Sequence, residues 1–254
     1  MKKVLLPLIT VLFFATSFYK LEDSKKNSTK TPLNIQPQNL VLKAKPKSTV
    51  KYAEEIYNSI SFDNINQLQS EVFSKAFLGF TNLKKEGKLD KDAHLLTICD
   101  FSLSSTEKRL WVIDLNESKV LYNTLVAHGK NTGEKFAQKF SNTESSLQSS
   151  LGFFITESTY NGSNGYSLKL EGMDSGFNDA ALRRAIVMHG ADYVSEGFIK
   201  SQKRLGRSWG CPAIPRALAE PIINTIKGKN CLFIYYPDNQ YLTNSKWLKI
   251  EENI

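Results

Sequence analysis

The chain has 254 residues, 41% of them hydrophobic and 23% charged, and a formal net charge of +8. Enough apolar material is present for one good core with extensions, which excludes a chain disordered throughout. The moderate basic excess suits an anionic partner or simply keeps the chain soluble, and charge informs association rather than fold.

Met1-Lys-Lys followed by the apolar run Val4–Phe14 has the positive start and short hydrophobic stretch of an export leader. Small residues at Ala15 and Ser17 place cleavage after Ser17, so residues 1–17 are expected to be a signal peptide; an uncleaved anchor is the alternative. No cysteine follows the run, so a lipoprotein anchor is not supported. Residues 18–50 are rich in Lys, Ser, Thr, Asn, Gln and Pro with little apolar periodicity, and are expected to be a disordered linker.

Residues 51–92 read as a helical appendage. Tyr52, Ile56 and Ile60 recur at spacings of four, and Leu68, Val72, Phe73, Ala76, Phe77, Phe80 and Leu83 continue at three and four. Two helices are expected, the second capped by Asp63 or Asn64 and ended by Gly87. The aromatic stripe is read as core packing, with a glycan-binding groove as the alternative.

From residue 93 the period shortens toward two. Strands are expected over 94–101, 109–115, 119–127, 152–156, 166–171, 184–189 and 231–236, with Asn161-Gly-Ser-Asn-Gly as a hairpin turn. The segment Thr143–Ser150 is either a mobile loop over a cleft or a connector. Pro215–Ile226 reads as a helix closed by Gly228. The expected fold is mainly β, an antiparallel sandwich or partial barrel with a short N-terminal α-helical appendage.

One loop carries chemistry. Cys211 follows Gly210 and precedes Pro212, a setting that displays a sulfur in a turn. His189 ends an apolar, β-prone run and is the candidate base, since an imidazole titrating near neutrality is suited to accept a thiol proton. Gly210 leaves its own amide and that of Cys211 free to approach a carbonyl oxygen as it becomes an oxyanion. A helix starting just after the loop is expected to aim its amide end at the site and lower the thiol pKa. The chemistry written here is acyl transfer through a thioester. Cys99 and Cys231 lie in apolar strand-like runs and read as buried free thiols, with a Cys99–Cys231 disulfide as the alternative. Three widely separated histidines show no metal-ligand spacing, so neither a metal nor another cofactor is expected.

His-Gly, a loop, then Ser-x-Gly-Cys resembles the signature of the YkuD-type L,D-transpeptidases, which remodel bacterial peptidoglycan. Gly206-Arg-Ser-Trp-Gly-Cys-Pro-Ala, Val187-Met-His-Gly-Ala-Asp-Tyr-Val and Ser149-Ser-Leu-Gly-Phe-Phe look like the murein L,D-transpeptidase catalytic-domain branch, over about residues 51–237. Two departures stand out: the common pattern has His before Gly-Cys and Asn or Arg shortly after, where this chain has Trp209 and Ala213. The resemblance implies a YkuD-like catalytic domain over 93–254, with Cys211 as nucleophile, His189 as base and Gly210 beside the oxyanion. It also implies an acceptor for the second nitrogen of His189 near Ser208. Arg207 is the expected partner of a stem-peptide carboxylate, Trp209 either walls the acyl pocket or packs at the loop base, and His128 either holds substrate carboxylate or ties down a loop. The expected partners are peptidoglycan stem peptides and no nucleic acid, with transient membrane contact through the leader only. The protein is expected to be monomeric and exported to the periplasm or cell envelope.

Overall fold

A computed structural model describes residues 46–250. The expected leader at 1–17 and most of the expected linker at 18–50 lie outside the described residues.

Helix α1 spans Pro46–Ser59, starting ahead of the expected Lys51, with its proline where a missing amide costs nothing. Helix α2 spans Ser70–Lys85. Asp63 and Asn64 do not cap it: Asp63 accepts a hydrogen bond from the Ser61 hydroxyl at 2.7 Å, and Asn64 takes φ 61° within the turn between the helices. Gly87, at φ 65°, ends α2 as expected, and the amide of Lys88 returns to the carbonyl of Leu83. The stripe Val72, Phe73, Ala76, Phe77, Phe80 and Leu83 is buried in the main core. Gly79 lets α2 settle on strand β4, since a Cβ there would stand 2.0 Å from the Phe153 ring. The stripe is core packing, and burying each such ring contributes about 1.5–3 kcal/mol.

The strands are β1 Leu95–Asp100, β2 Leu110–Asp114, β3 Lys119–Thr124, β4 Gly152–Gly162, β5 Gly165–Gly172, β6 Val187–Ala191, β7 Ala213–Pro215 and β8 Cys231–Tyr235. They form one sheet in the order β3-β2-β1-β8-β4-β5-β6-β7. Most pairs are antiparallel; β1 with β8 and β6 with β7 are parallel. Ala127, beyond β3, exchanges two backbone hydrogen bonds with Ala213 of β7, so the two edges meet and the sheet nearly closes. The fold is mainly β, a partial barrel as expected.

β1, β2 and β8 are buried along their whole length, which is why they read as continuous apolar runs. Cys99 and Cys231 lie in two of them as buried free thiols. Cys231 pairs with Leu96 and Cys99 with Ile234, so the two sulfurs are out of register for a disulfide.

Two elements around the candidate site were not anticipated. Helix α3, Glu196–Gln202, has no buried residue and therefore no apolar period to detect. β7 is three residues long and separates the Cys211 loop from helix α4, Arg216–Ile226. The helix therefore does not begin at the thiol. Instead α4 packs behind β6, where a Cβ on Gly190 would meet that of Ala219 at 2.8 Å.

Candidate active site

Strand β6 carries one of the two groups singled out by sequence, and the other lies in the loop that leads into β7. His189 pairs in parallel register with Ala213, which places Cys211, two residues earlier, diagonal to His189 across the strand pair. His189 is 4% exposed and its Nδ1 lies 3.1 Å from the carbonyl oxygen of Gly190. A carbonyl only accepts, so Nδ1 carries the proton and Nε2 keeps its lone pair. The acceptor is thus the next residue's own backbone rather than a group near Ser208. Asp192 is turned away, its carboxylate receiving Arg216 Nε at 2.6 Å.

The Cys211 loop is held by a dense set of bonds. Ser208 donates its amide to the His128 carbonyl at 3.0 Å and accepts the Lys130 amide at 2.7 Å. Its hydroxyl donates to the Cys211 carbonyl at 2.6 Å and accepts the Gly210 amide at 3.0 Å. Ser208 is therefore the brace of the turn, and the Gly210 amide is engaged rather than free. Gly210 sits at φ 128°, and a Cβ there would lie 2.7 Å from the Gln148 carbonyl oxygen, so only glycine fits without strain.

Ser149, in a motif quoted above without a role, closes the other side. Its buried hydroxyl accepts the Gly129 amide and donates to the Gly210 carbonyl, both at 3.0 Å. Gly129 is needed because a Cβ would meet the Leu147 carbonyl at 2.6 Å and Gly210 Cα at 3.0 Å. The segment Thr143–Ser150 is tied down: the Asn131 amide bonds the Leu147 carbonyl, and Ser141 and Ser149 are joined by backbone.

Arg184, unremarked in the sequence, is the cation beside the thiol. Its guanidinium donates to the Ser141 and Gln148 carbonyls at 2.7 Å and to the hydroxyls of Ser146 and Ser150. The next residue, Ala185, takes φ 52° and turns its carbonyl oxygen to within 3.8 Å of Cys211 Sγ. Ser145 and Leu147, both at φ 57°, share this sparsely populated conformation. Such backbone strain persists only where its surroundings enforce it, and it clusters at functional sites.

Burial pushes the Cys211 thiol above the ordinary value; the Val187 amide, the Arg184 charge and the residue's own amide offset this in part. Burial also holds His189 below the usual imidazole value, against the pull of the Gly190 carbonyl, and Arg216 lowers it further. Both shifts favour the neutral form of each group over a thiolate–imidazolium pair. Among the described residues the two make no hydrogen bond to each other; before substrate binds, such contacts are commonly long. Burial, then the neighbouring thiol, raises Tyr193 to about 12, which keeps its hydroxyl protonated.

Arg207, His128 and Trp209 have the following surroundings. Arg207 is committed to the Lys130 and Gly133 carbonyls and pairs with Glu134 at 2.6 Å. His128 is 1% exposed, with Nδ1 accepting from Arg109 at 2.8 Å and Nε2 donating to the Gly133 carbonyl at 3.2 Å. Burial and the Arg109 charge push it down to about 3, so it is a neutral strut. Trp209 is 79% exposed, so it does not pack at the loop base. No group of side chains suited to a metal occurs among the described residues.

A family model described as L,D-transpeptidase catalytic domain matches residues 64–235. No curated protein matches the sequence. Solved structures it is similar to include an L,D-transpeptidase from Mycobacterium smegmatis, 13% identical, covering 57% of this chain and 59% of that one at a TM-score of 0.35. A helical cell shape determining protein from Campylobacter jejuni is 14% identical, covering 65% and 55% at 0.39. An Enterococcus faecium L,D-transpeptidase is 14% identical, covering 56% and 50% at 0.33. The chain thus spans less than two thirds of the length of these proteins. The matched region contains α2, the whole sheet and both halves of the His-Gly and Ser-x-Gly-Cys signature, and on that match the chain belongs to the L,D-transpeptidase catalytic domain family.

Proposed function

We propose that the protein remodels peptidoglycan as an L,D-transpeptidase, with Cys211 as nucleophile and His189 as base. The observation that carries the reading is the pairing of β6 with β7, which brings an imidazole with its Nδ1 already held by Gly190 diagonal to the displayed thiol. The thiol of Cys211 attacks the carbonyl of the L-centre residue of a tetrapeptide stem while its proton passes to His189 Nε2. The tetrahedral oxyanion is met by the Cys211 amide, since the Gly210 amide is engaged with Ser208. Collapse breaks the C–N bond, and His189 returns the proton to the departing D-alanine amine. An amine from a neighbouring stem then attacks the thioester and gives its proton to His189, which passes it to the Cys211 sulfur as the C–S bond breaks.

Both shifts favour the neutral forms, which suits His189 taking the thiol proton during attack. A second reading is an L,D-carboxypeptidase or amidase that resolves the same acyl-enzyme with water. A non-catalytic wall-binding module is the reading to beat. Intact mass after carbapenem treatment is expected to show an adduct lost in Cys211→Ala, and product mass spectrometry on purified sacculi separates cross-linked dimers from trimmed monomers. Wall binding without adduct or turnover would overturn the enzymatic proposal. Export through the leader at 1–17 belongs to the same proposal.

A further inference from the structure

A polar cleft adjoins the Cys211 loop and takes no part in the chemistry above. It has a volume of about 540 Å³ and runs between the 138–151 segment, the turn at 176–177 and the start of the helix Asn239–Asn244. Phe140 and Phe177 line it, together with Gln138, Lys139, Gln148 and Gln240. Its wall is shared with the candidate active site. Gln148 lines the cleft, while its carbonyl oxygen accepts from Arg184 at 2.7 Å and bounds the space at Gly210. Ser141, also in the lining, accepts from Arg184 as well.

The two rings are half-buried and held in place. Phe140 rests against Tyr236 with centroids 4.9 Å apart, and Phe177 meets Tyr241 edge-on at 5.2 Å. The side-chain amides of Gln138, Gln148 and Gln240 have no hydrogen-bond partner among the described residues. By contrast, Asn142 is used by Asp179 and Ala180, and Asp238 caps Tyr241. A second cleft of about 400 Å³ shares Gln138 and Lys139 and extends the trough along the 130–139 segment, where Lys130, Lys135, Arg207 and Glu134 add charge of both signs.

In the first cleft, ring faces beside unpaired amides, with Lys139 and Asp238 as its charged lining residues, match a neutral polyhydroxylated ligand. The rings take the C–H face of a pyranose, and the amides take hydroxyl and acetamido groups. An extended trough further suits a polymer better than a small molecule. We propose that this cleft is a saccharide subsite that holds an N-acetylated sugar of the glycan strand carrying the stem peptide acylated at Cys211. The assignment rests on the peptidoglycan reading given above.

The test compares two donor substrates, a disaccharide-linked tetrapeptide and the free tetrapeptide, using the full chain and its Gln138→Ala/Gln240→Ala variant. Loss of one or two hydrogen bonds should cut the preference for the sugar-linked donor, the ratio of the two kcat/KM values, by about five- to thirtyfold. A variant that slows both donors equally would overturn the proposal. Binding of the peptide-free disaccharide is measured in parallel by saturation-transfer NMR on Cys211→Ala. Saturation transfer that weakens with the glutamine substitutions supports the subsite even if neither donor turns over, an outcome that would sink the transpeptidase reading alone. Turnover without sugar preference, or no transfer to the disaccharide, sinks the subsite alone.

Discussion

Replacing Ser149 with alanine strikes the brace between Gly129 and the Cys211 loop. The hydroxyl is wholly buried and serves two backbone groups at 3.0 Å, the Gly129 amide and the Gly210 carbonyl. Neither has another partner among the described residues, and water has little room to substitute, because even a methyl at Gly129 would meet backbone at 2.6 Å. A buried polar group left unpaired costs about 1–3 kcal/mol, so Ser149→Ala is expected to lose about 2–6 kcal/mol of unfolding free energy. Urea denaturation followed by tryptophan fluorescence reads this as a lower midpoint at unchanged slope. The kinetic consequence is separate. With its carbonyl released, the Gly210 peptide can relax from φ 128° and carry Cys211 with it, so carbapenem acylation is expected to slow by about tenfold or more. A stability change below about 0.5 kcal/mol together with acylation at the unaltered rate would refute the assignment of Ser149 as the brace.

Gly210→Ala forces a Cβ to 2.7 Å from the Gln148 carbonyl at a φ that side chains avoid, and should cost about 2–4 kcal/mol, measured by thermal unfolding, with loss of thiol acylation. Arg184→Gln removes the positive charge near the thiol, so the pH midpoint of Cys211 alkylation is expected to rise; Arg184→Lys keeps the charge and should shift it less, whereas a purely structural arginine would give equal shifts. Asp174 accepts from the Phe153 amide at 2.7 Å, Tyr241 and Ser245, yet burial raises its carboxyl to about 6 from an ordinary 3.8. Between those values the folded chain binds a proton that the unfolded chain has released, so stability should fall as pH rises from about 4 to about 6, by up to about 1.4 kcal/mol per unit. Denaturation of Asp174→Asn across this range is expected to lack that slope; an unchanged slope would locate the proton elsewhere.

What could be read from the chain by itself was what local spacing encodes. The α2 stripe at 72–83 and the apolar runs at 95–100, 110–114 and 231–235 declared helix and strands, because a face that must be buried repeats with the period of its element. The Ser-x-Gly-Cys loop and the His-Gly dipeptide declared the family. Where no face is buried, as in α3, or where a strand has only three residues, as in β7, no period exists and neither was legible.

The surroundings of the thiol belonged to tertiary structure. Arg207 lies four residues from Cys211, yet it is spent on Glu134 and two carbonyls, whereas Arg184, far upstream, supplies the nearby charge. Ser149 and Gly129 meet Gly210 only because the sheet's edges nearly close at Ala127 and Ala213. Desolvation has the same origin: the sequence names a thiol and an imidazole, but how far burial drives each toward its neutral form is set by chain segments that pack around them from elsewhere.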